Sequence, residues 1–273
     1  MGIVKKLSTI IWPVLITVGC SRNAITGRSQ LALYSESDIQ AAAADSYKKF
    51  LTEHKVVEKS PANPSALMVD RVGRKLSQAI TDYYAQQGIS KELDGFKWEF
   101  NLVDSKEVNA WCMPGGKIVI YTGILPLTQD ETALAIILGH TITHVLAKHG
   151  NERLGETKAQ QVGGVAQSVA MVDQPAEAHN GVMSAYGAGP NVAGILPFTK
   201  KQEYDADRLG LRFAALAGYD PREAISCWQR IKAVSTSNRT PEILITHPLD
   251  DKRIEKLKGE VQAAQTYYRP DDR

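Results

Sequence analysis

Hydrophobic positions along this chain recur at two spacings, and the places where the spacing changes mark the elements. Ser37 and Asp38 can cap a helix over residues 37–53, and Pro64 opens a second over residues 64–85, where Leu67, Val72, Leu76 and Ile80 fall near helical spacing. Residues 59–64 are a short linker between them. The period then shortens to two: Phe96, Trp98, Phe100 and Leu102 alternate with polar neighbours, the pattern of a half-buried strand. Two strand-like runs, residues 108–113 and 117–122, flank Pro114-Gly115-Gly116 and predict a hairpin. A long apolar helix follows, opening near Thr128 to Glu131, continuing through Leu134, Ile137, Leu138, Ile142 and Val145, and stopping at Gly150. Another helix is expected over residues 151–171.

Residues 173–197 break the rhythm, with Gly181, Gly187, Gly189 and Gly194 among Pro175, Pro190 and Pro197. This stretch is expected to be a mobile surface loop, serving as a lid or binding element or standing as a disordered insertion. Helical patterns over residues 200–217, 221–234 and 250–264 close the chain. The predicted class is α+β: mainly helical, with a small sheet and hairpin beside the long apolar helix.

The N-terminus has a different character. Lys5 and Lys6 precede an apolar run over residues 7–19, too short to span a bilayer comfortably and suited to the core of an export signal. Thr17-Val18-Gly19-Cys20 resembles a bacterial lipobox, which would make Cys20 the lipidated first residue of the mature chain; the alternative is plain signal cleavage with an incidental cysteine. Residues 1–19 are therefore read as a signal peptide, residues 20–36 as a polar tether, and residues 37–273 as a single domain. Cys112 and Cys227 remain, and both are expected as unpaired thiols, Cys227 because it sits in a helical pattern as a small hydrophobe.

Composition adds limits rather than detail. The 273 residues are 43% hydrophobic and 23% charged, enough for a substantial core. The formal charge of +2 includes Lys5 and Lys6, so the mature chain is close to neutral, which argues against nucleic acid as a partner.

The candidate chemistry lies inside the long helix. His140 and His144 are four residues apart, so both imidazoles face one side and can share a metal ion. A catalytic zinc takes three protein ligands plus water, and the best third candidate is Glu203 on another predicted helix. Asp207, four residues beyond Glu203, can ligate or hold a ligating imidazole. In the His-Glu-x-x-His pattern the Glu beside the first His serves as general base; here that position is Thr141.

Several motifs together carry a resemblance. Leu138-Gly139-His140-x-Ile142-Thr143-His144-Val145, then His149-Gly150-Asn151-Glu152, then residues 201–210 around Glu203 and Asp207, then His247-Pro248 with Arg253-Ile254, resemble the zinc metallopeptidases related to HtpX and the CAAX prenyl protease. Residues 23–28 and 109–118 look like the periplasmic lipoprotein branch. That resemblance implies a zincin-like fold and one zinc ion per chain, held by His140, His144 and Glu203. It implies Asp207 as proton donor or as an outer partner of the ligands, and His247 as oxyanion partner or as a switch occupying the open zinc position. It further implies an endopeptidase anchored by lipid to the periplasmic face of the outer membrane, acting on unfolded or misassembled envelope proteins.

The hairpin can bind an extended peptide by strand addition, with Asn109, Ala110 and Trp111 at the edge and Trp111 as an apolar subsite; a plain structural hairpin is the other reading. Thr141 can neither reach nor hold a proton as Glu does, so turnover is expected to be absent or severely impaired. A non-catalytic, zinc-binding pseudoprotease acting as a peptide-binding chaperone or assembly factor is the alternative function.

Overall fold

Helix α1 (Glu36–Glu53) starts where Ser35 accepts a hydrogen bond from the Asp38 amide, with Glu36 and Asp38 in the first turn to complement the helix dipole. The cap is thus Ser35 rather than Ser37. Helix α2 (Pro64–Gln86) opens on its proline and buries Val69, Val72, Leu76 and Ile80 along one stripe. The sheet contains β3 (Glu99–Val103), β4 (Ala110–Met113) and β5 (Lys117–Tyr121), after the short strands β1 (Cys20–Arg22) and β2 (Ser29–Leu31). The expected hairpin forms, β4 antiparallel to β5 with Ala110 opposite Ile120. Its turn places Gly115 and Gly116 at φ +78° and +76°, a conformation glycine alone adopts without strain. Strand β3, expected from the period-two run, joins this hairpin. It pairs parallel to β5, Phe100 beside Ile118, giving the order β3-β5-β4 with β4 at an edge.

The computed structural model describes residues 20–164, 181–187, 197–236 and 240–270, without the side chains of Cys20 and residues 158–164. The expected signal peptide, the helix end at residues 165–171, and residues 173–180 and 188–196 of the expected loop lie outside the described residues. Within that stretch, Val182, Met183, Ala185 and Tyr186 are buried.

After the short α3 (Leu125–Thr128), helix α4 (Glu131–Leu146) is capped by the Asp130 carboxylate, which accepts from the Ala133 amide. Every residue of α4 from Ala133 to Leu146 is buried, so it is the central rod of the molecule, wrapped on all sides. It does not run to Gly150. Lys148 adopts φ +56° and breaks the rod, and α5 (His149–Gly164) begins at the next residue. Glu152 is consequently on another helix from His140.

Helix α6 (Lys200–Leu216) opens on a reciprocal capping box between Thr199 and Gln202. Then come α7 (Glu223–Ala233), the unforeseen short α8 (Glu242–Thr246) and α9 (Asp251–Ala264), the last capped by Asp250. Helices α4 and α6 make the most extensive helix–helix contact. Glycines let them touch backbone to backbone: a Cβ at Gly139 would lie 2.6 Å from Gly210 O, and one at Gly210 would lie 2.6 Å from His140 N.

The segment expected as a tether is folded. Strands β1 and β2 pair antiparallel, and the buried Asn23 and Gln30 side chains donate to the carbonyls of Leu146 and Ala147 at the end of α4. Cys112 and Cys227 are both free and buried, as expected. No helix among the described residues is long and apolar enough to cross a membrane.

Candidate metal centre

The glycine crossing brings the first turns of α6 against the second half of α4, and one cluster results. Ligand-type atoms of His140, His144, Glu203 and His247 all lie within 4.8 Å of one another, and none of the four residues is more than 3% exposed. His140 Nε2 is 3.2 Å from His144 Nε2 and 3.2 Å from His247 Nδ1. Glu203 Oε1 is 3.4 Å from His144 Nε2 and 2.9 Å from His247 Nδ1.

These spacings test whether an ion fits. Two ligands about 2.0–2.1 Å from a tetrahedral zinc stand about 3.3 Å apart, close to the observed separations. The proton positions point the same way. His140 Nδ1 lies 3.0 Å from Asp207 Oδ1 and His144 Nδ1 lies 3.0 Å from His149 Nδ1. An imidazole that donates at Nδ1 to the Asp207 carboxylate, as His140 does, turns the lone pair of its Nε2 toward the cluster, where an ion can accept it. The donor set fits a zinc ion.

Electrostatics favour ligating states. Burial pushes the His144 pKa well below its ordinary value, against the pull of Glu203, and burial likewise lowers His247 to about 4. Burial alone would raise the Glu203 carboxyl, but the Arg253 guanidinium and the neighbouring His247 hold it well below the usual range. Asp207 behaves alike: burial opposes ionisation, and Arg253 outweighs it. At neutral pH the cluster therefore offers neutral imidazole at His144 and His247 and a carboxylate at Glu203.

The structure brings together His140, His144, Glu203, Asp207 and His247, all foreseen from sequence. Asp207 stands behind His140, one oxygen on Nδ1 of that ring and both oxygens 2.7 Å from Arg253 nitrogens. Thr141 is 3% exposed, and its hydroxyl donates to Ile137 O at 2.8 Å, the carbonyl four residues back in its own helix. The hairpin residues divide. Asn109 donates to Glu242 Oε2 at 3.0 Å, and Ile243 N donates to Val108 O at 3.2 Å, so α8, which ends just before His247, latches the start of β4. Ala110 and Trp111 are 1% exposed, and Trp111 packs edge-on to Phe50 and Tyr47 of α1. As an apolar subsite, Trp111 is corrected: its indole belongs to the core.

Four participants were not foreseen. Arg253, 3% exposed, grips Asp207 with two nitrogens, ion-pairs with Glu203, and donates to Pro248 O at 3.0 Å. Trp228 sits against both the Arg253 guanidinium and the His140 ring. Phe198 stacks 3.9 Å from the His144 ring centroid and 5.0 Å from that of His247, forming an apolar cover. His149, wholly buried, touches His144 from behind. Arg253 and His149 stood within quoted motifs, yet their position gave no sign of burial.

A cleft of about 490 Å³ reaches the cluster at Glu203, and Phe198, Arg253, Arg153, Glu156, Lys200, Tyr204 and Asp250 also line it. A peptide segment fits such a volume.

Comparison with known proteins agrees with this geometry. The Mitochondrial metalloendopeptidase OMA1 of Schizosaccharomyces pombe is 30% identical over 224 residues, covering 82% of this chain and 61% of that protein. The Beta-barrel assembly-enhancing protease of Yersinia pestis is 31% identical over 168 residues, 59% of this chain and 34% of that protein. Its Escherichia coli K12 counterpart is 26% identical over 184 residues, 63% of this chain and 37% of that protein. The chain thus spans about a third to three fifths of the length of these relatives. The sequence pattern of Peptidase family M48 matches residues 71–261, which include every residue of the cluster. The chain belongs to peptidase family M48, whose members are zinc metalloendopeptidases.

Proposed function

We propose that His140, His144 and Glu203 hold one zinc ion and that the chain is an envelope metalloendopeptidase whose turnover is absent or severely impaired because Thr141 stands where the general-base glutamate belongs. The observation that carries this reading is the pairing of a complete, converging donor set with a Thr141 hydroxyl turned back onto its own helix. A zinc ion in such a site supplies Lewis acidity to a carbonyl and makes water more acidic. This chain's residues do the rest: Asp207 orients His140, Arg253 keeps Asp207 and Glu203 ionised, and the cleft takes an extended substrate. Proton transfer lacks its acceptor, since a threonine hydroxyl holds no proton reversibly near pH 7.

His247 adds a second brake. Its Nδ1 stands 3.2 Å from His140 Nε2 and 2.9 Å from Glu203 Oε1, so it would compete with water for the position a catalytic zinc leaves open. A ring displaced from there is the oxyanion partner of the alternative reading. The Beta-barrel assembly-enhancing protease relatives, the apolar run at residues 7–19 and Cys20 support an exported, lipid-anchored protein at the periplasmic face of the outer membrane, with unfolded or misassembled envelope proteins as substrates. The same location with turnover lost describes a peptide-binding chaperone or assembly factor, which Thr141 favours.

Zinc content and casein cleavage of this chain and of Thr141→Glu test the reading. Stoichiometric zinc in both, with cleavage about 10²–10⁴-fold faster in the Glu variant, is the expected result. Absence of zinc from both overturns the ligand assignment, and brisk cleavage by the Thr141 chain overturns the claimed loss of the base.

A further inference from the structure

The two histidines of α4 turn their Nδ1 atoms away from the cluster toward different partners. His140 Nδ1 meets Asp207 Oδ1 at 3.0 Å, an ionised carboxylate that only accepts. His144 Nδ1 meets His149 Nδ1 at 3.0 Å, an atom able to donate or accept. A metal-bound histidine fixes which it does. A neutral imidazole giving its Nε2 lone pair to an ion carries its proton on Nδ1, so His144 donates and His149 Nδ1 accepts. The His149 proton then belongs on Nε2. That atom is buried, has no hydrogen-bond partner among the described residues, and faces Asp205 Oδ2 at 3.7 Å. Asp205 is held in turn by Arg28 Nε at 2.6 Å.

We propose that His149 is a positioning residue of the metal centre, accepting the Nδ1 proton of His144 and relaying its orientation from Asp205 and Arg28. The inference rests on His140 and His144 being the ligands. The centre then has two matched supports. His140 is backed directly by an aspartate held by Arg253; His144 is backed by an aspartate held by Arg28, with one imidazole interposed. The Arg28 side chain, from the N-terminal hairpin, bridges Glu152 of α5 and Asp205 of α6, and His149 stands between Asp205 and His144.

The test uses the full chain and measures zinc affinity by competition with a chromophoric chelator, for the parent, His149→Phe and His149→Asn. Phenylalanine fills the ring volume without an acceptor, whereas the asparagine carbonyl can occupy the place of Nδ1. Zinc affinity is expected to fall about 10–100-fold in His149→Phe and to be largely kept in His149→Asn. Melting of the zinc-free forms checks that each variant folds. Unchanged affinity in His149→Phe overturns the proposal, as does an equal loss in both variants, which would make the ring a packing element. Nitrogen-15 shifts of the zinc-loaded parent give an independent reading: protons on Nδ1 of His144 and Nε2 of His149 are expected, and a His149 proton on Nδ1 overturns the relay. A parent that binds no zinc overturns the ligand assignment itself, a result distinct from zinc bound equally by parent and variants.

Discussion

Arg253 is the residue on which both acids of the centre depend. Its guanidinium takes two oxygens of Asp207 and ion-pairs with Glu203 in a site closed to solvent, so without it each buried carboxylate keeps only its histidine neighbours. In Arg253→Met, with zinc removed by chelation, unfolding stability at pH 7 is expected to drop by about 3–5 kcal/mol, read from denaturant midpoints. The pH dependence has a definite sign. Both carboxylates titrate below their ordinary range in the folded chain, so their contribution is complete above about pH 4–4.5 and is lost as pH falls through the depressed folded values. Removing Arg253 takes away the largest influence that opposes burial at both carboxyls, so those values rise and the acid transition of the variant should begin at higher pH than that of the parent. Superimposable pH profiles would refute the dependence. The pairing of His140 and His144 was legible, since a four-residue spacing on an apolar helix states which rings share a face. Arg253 was not legible as a site residue. Arginine is ordinarily exposed, and nothing local in Asp250 to Ile254 shows that two buried acids on another helix await it.

At the scale of elements, the site exists because α4 and α6 cross at Gly139 and Gly210. His140 and His144 come from one helix and Glu203 and Asp207 from the other, so the distances between these groups are set by how closely two backbones approach. Gly210→Ala places a methyl 2.6 Å from His140 N, a contact relieved only by moving the helices apart. Overpacking of this kind costs about 1–3 kcal/mol, and the separation should weaken zinc binding as well. The check is a paired measurement, melting of the zinc-free protein and zinc affinity by chelator competition; a variant with parental values in both would show the crossing to be loose. Helix existence was well predicted here, as in α2, where Pro64 and the Val72, Leu76, Ile80 stripe marked the boundaries and buried face. The end of α4 was misplaced because the sequence signal, Gly150, belongs to the next helix, while the break falls on Lys148 in a left-handed conformation that lysine seldom signals. The sheet order was also hidden. The hairpin turn is written in Pro114-Gly115-Gly116, but the insertion of β5 between β3 and β4 depends on contacts far apart in the chain.

Across the whole molecule, the N-terminal segment changes meaning. Polar residues in a short run read as a solvated tether, and burial by hydrogen bonding leaves no periodic trace in a sequence. In the fold, Asn23 and Gln30 close the carbonyls at the end of the metal helix, and Arg28 donates twice to Glu152 at 3.0 and 2.8 Å and once to Asp205 at 2.6 Å. The hairpin thereby joins the ends of α4, α5 and α6, the three helices that carry or back the cluster. Arg28→Met keeps much of the aliphatic bulk while leaving two partly buried acids without their cation. Charge-assisted bonds of this type are worth about 1.5–3 kcal/mol net, so a stability loss of about 2–4 kcal/mol is expected. The loss should have a local signature. Amide exchange in β1 and β2 should accelerate before that of the α2 core, and protease cleavage within residues 20–31 should appear under conditions where the parent resists, because this network fastens the hairpin to α5 and α6. An Arg28→Met chain with parental stability and equally protected strands would mean that the pairing with Glu152 and Asp205 contributes nothing, and that the hairpin is fastened by Asn23 and Gln30 alone.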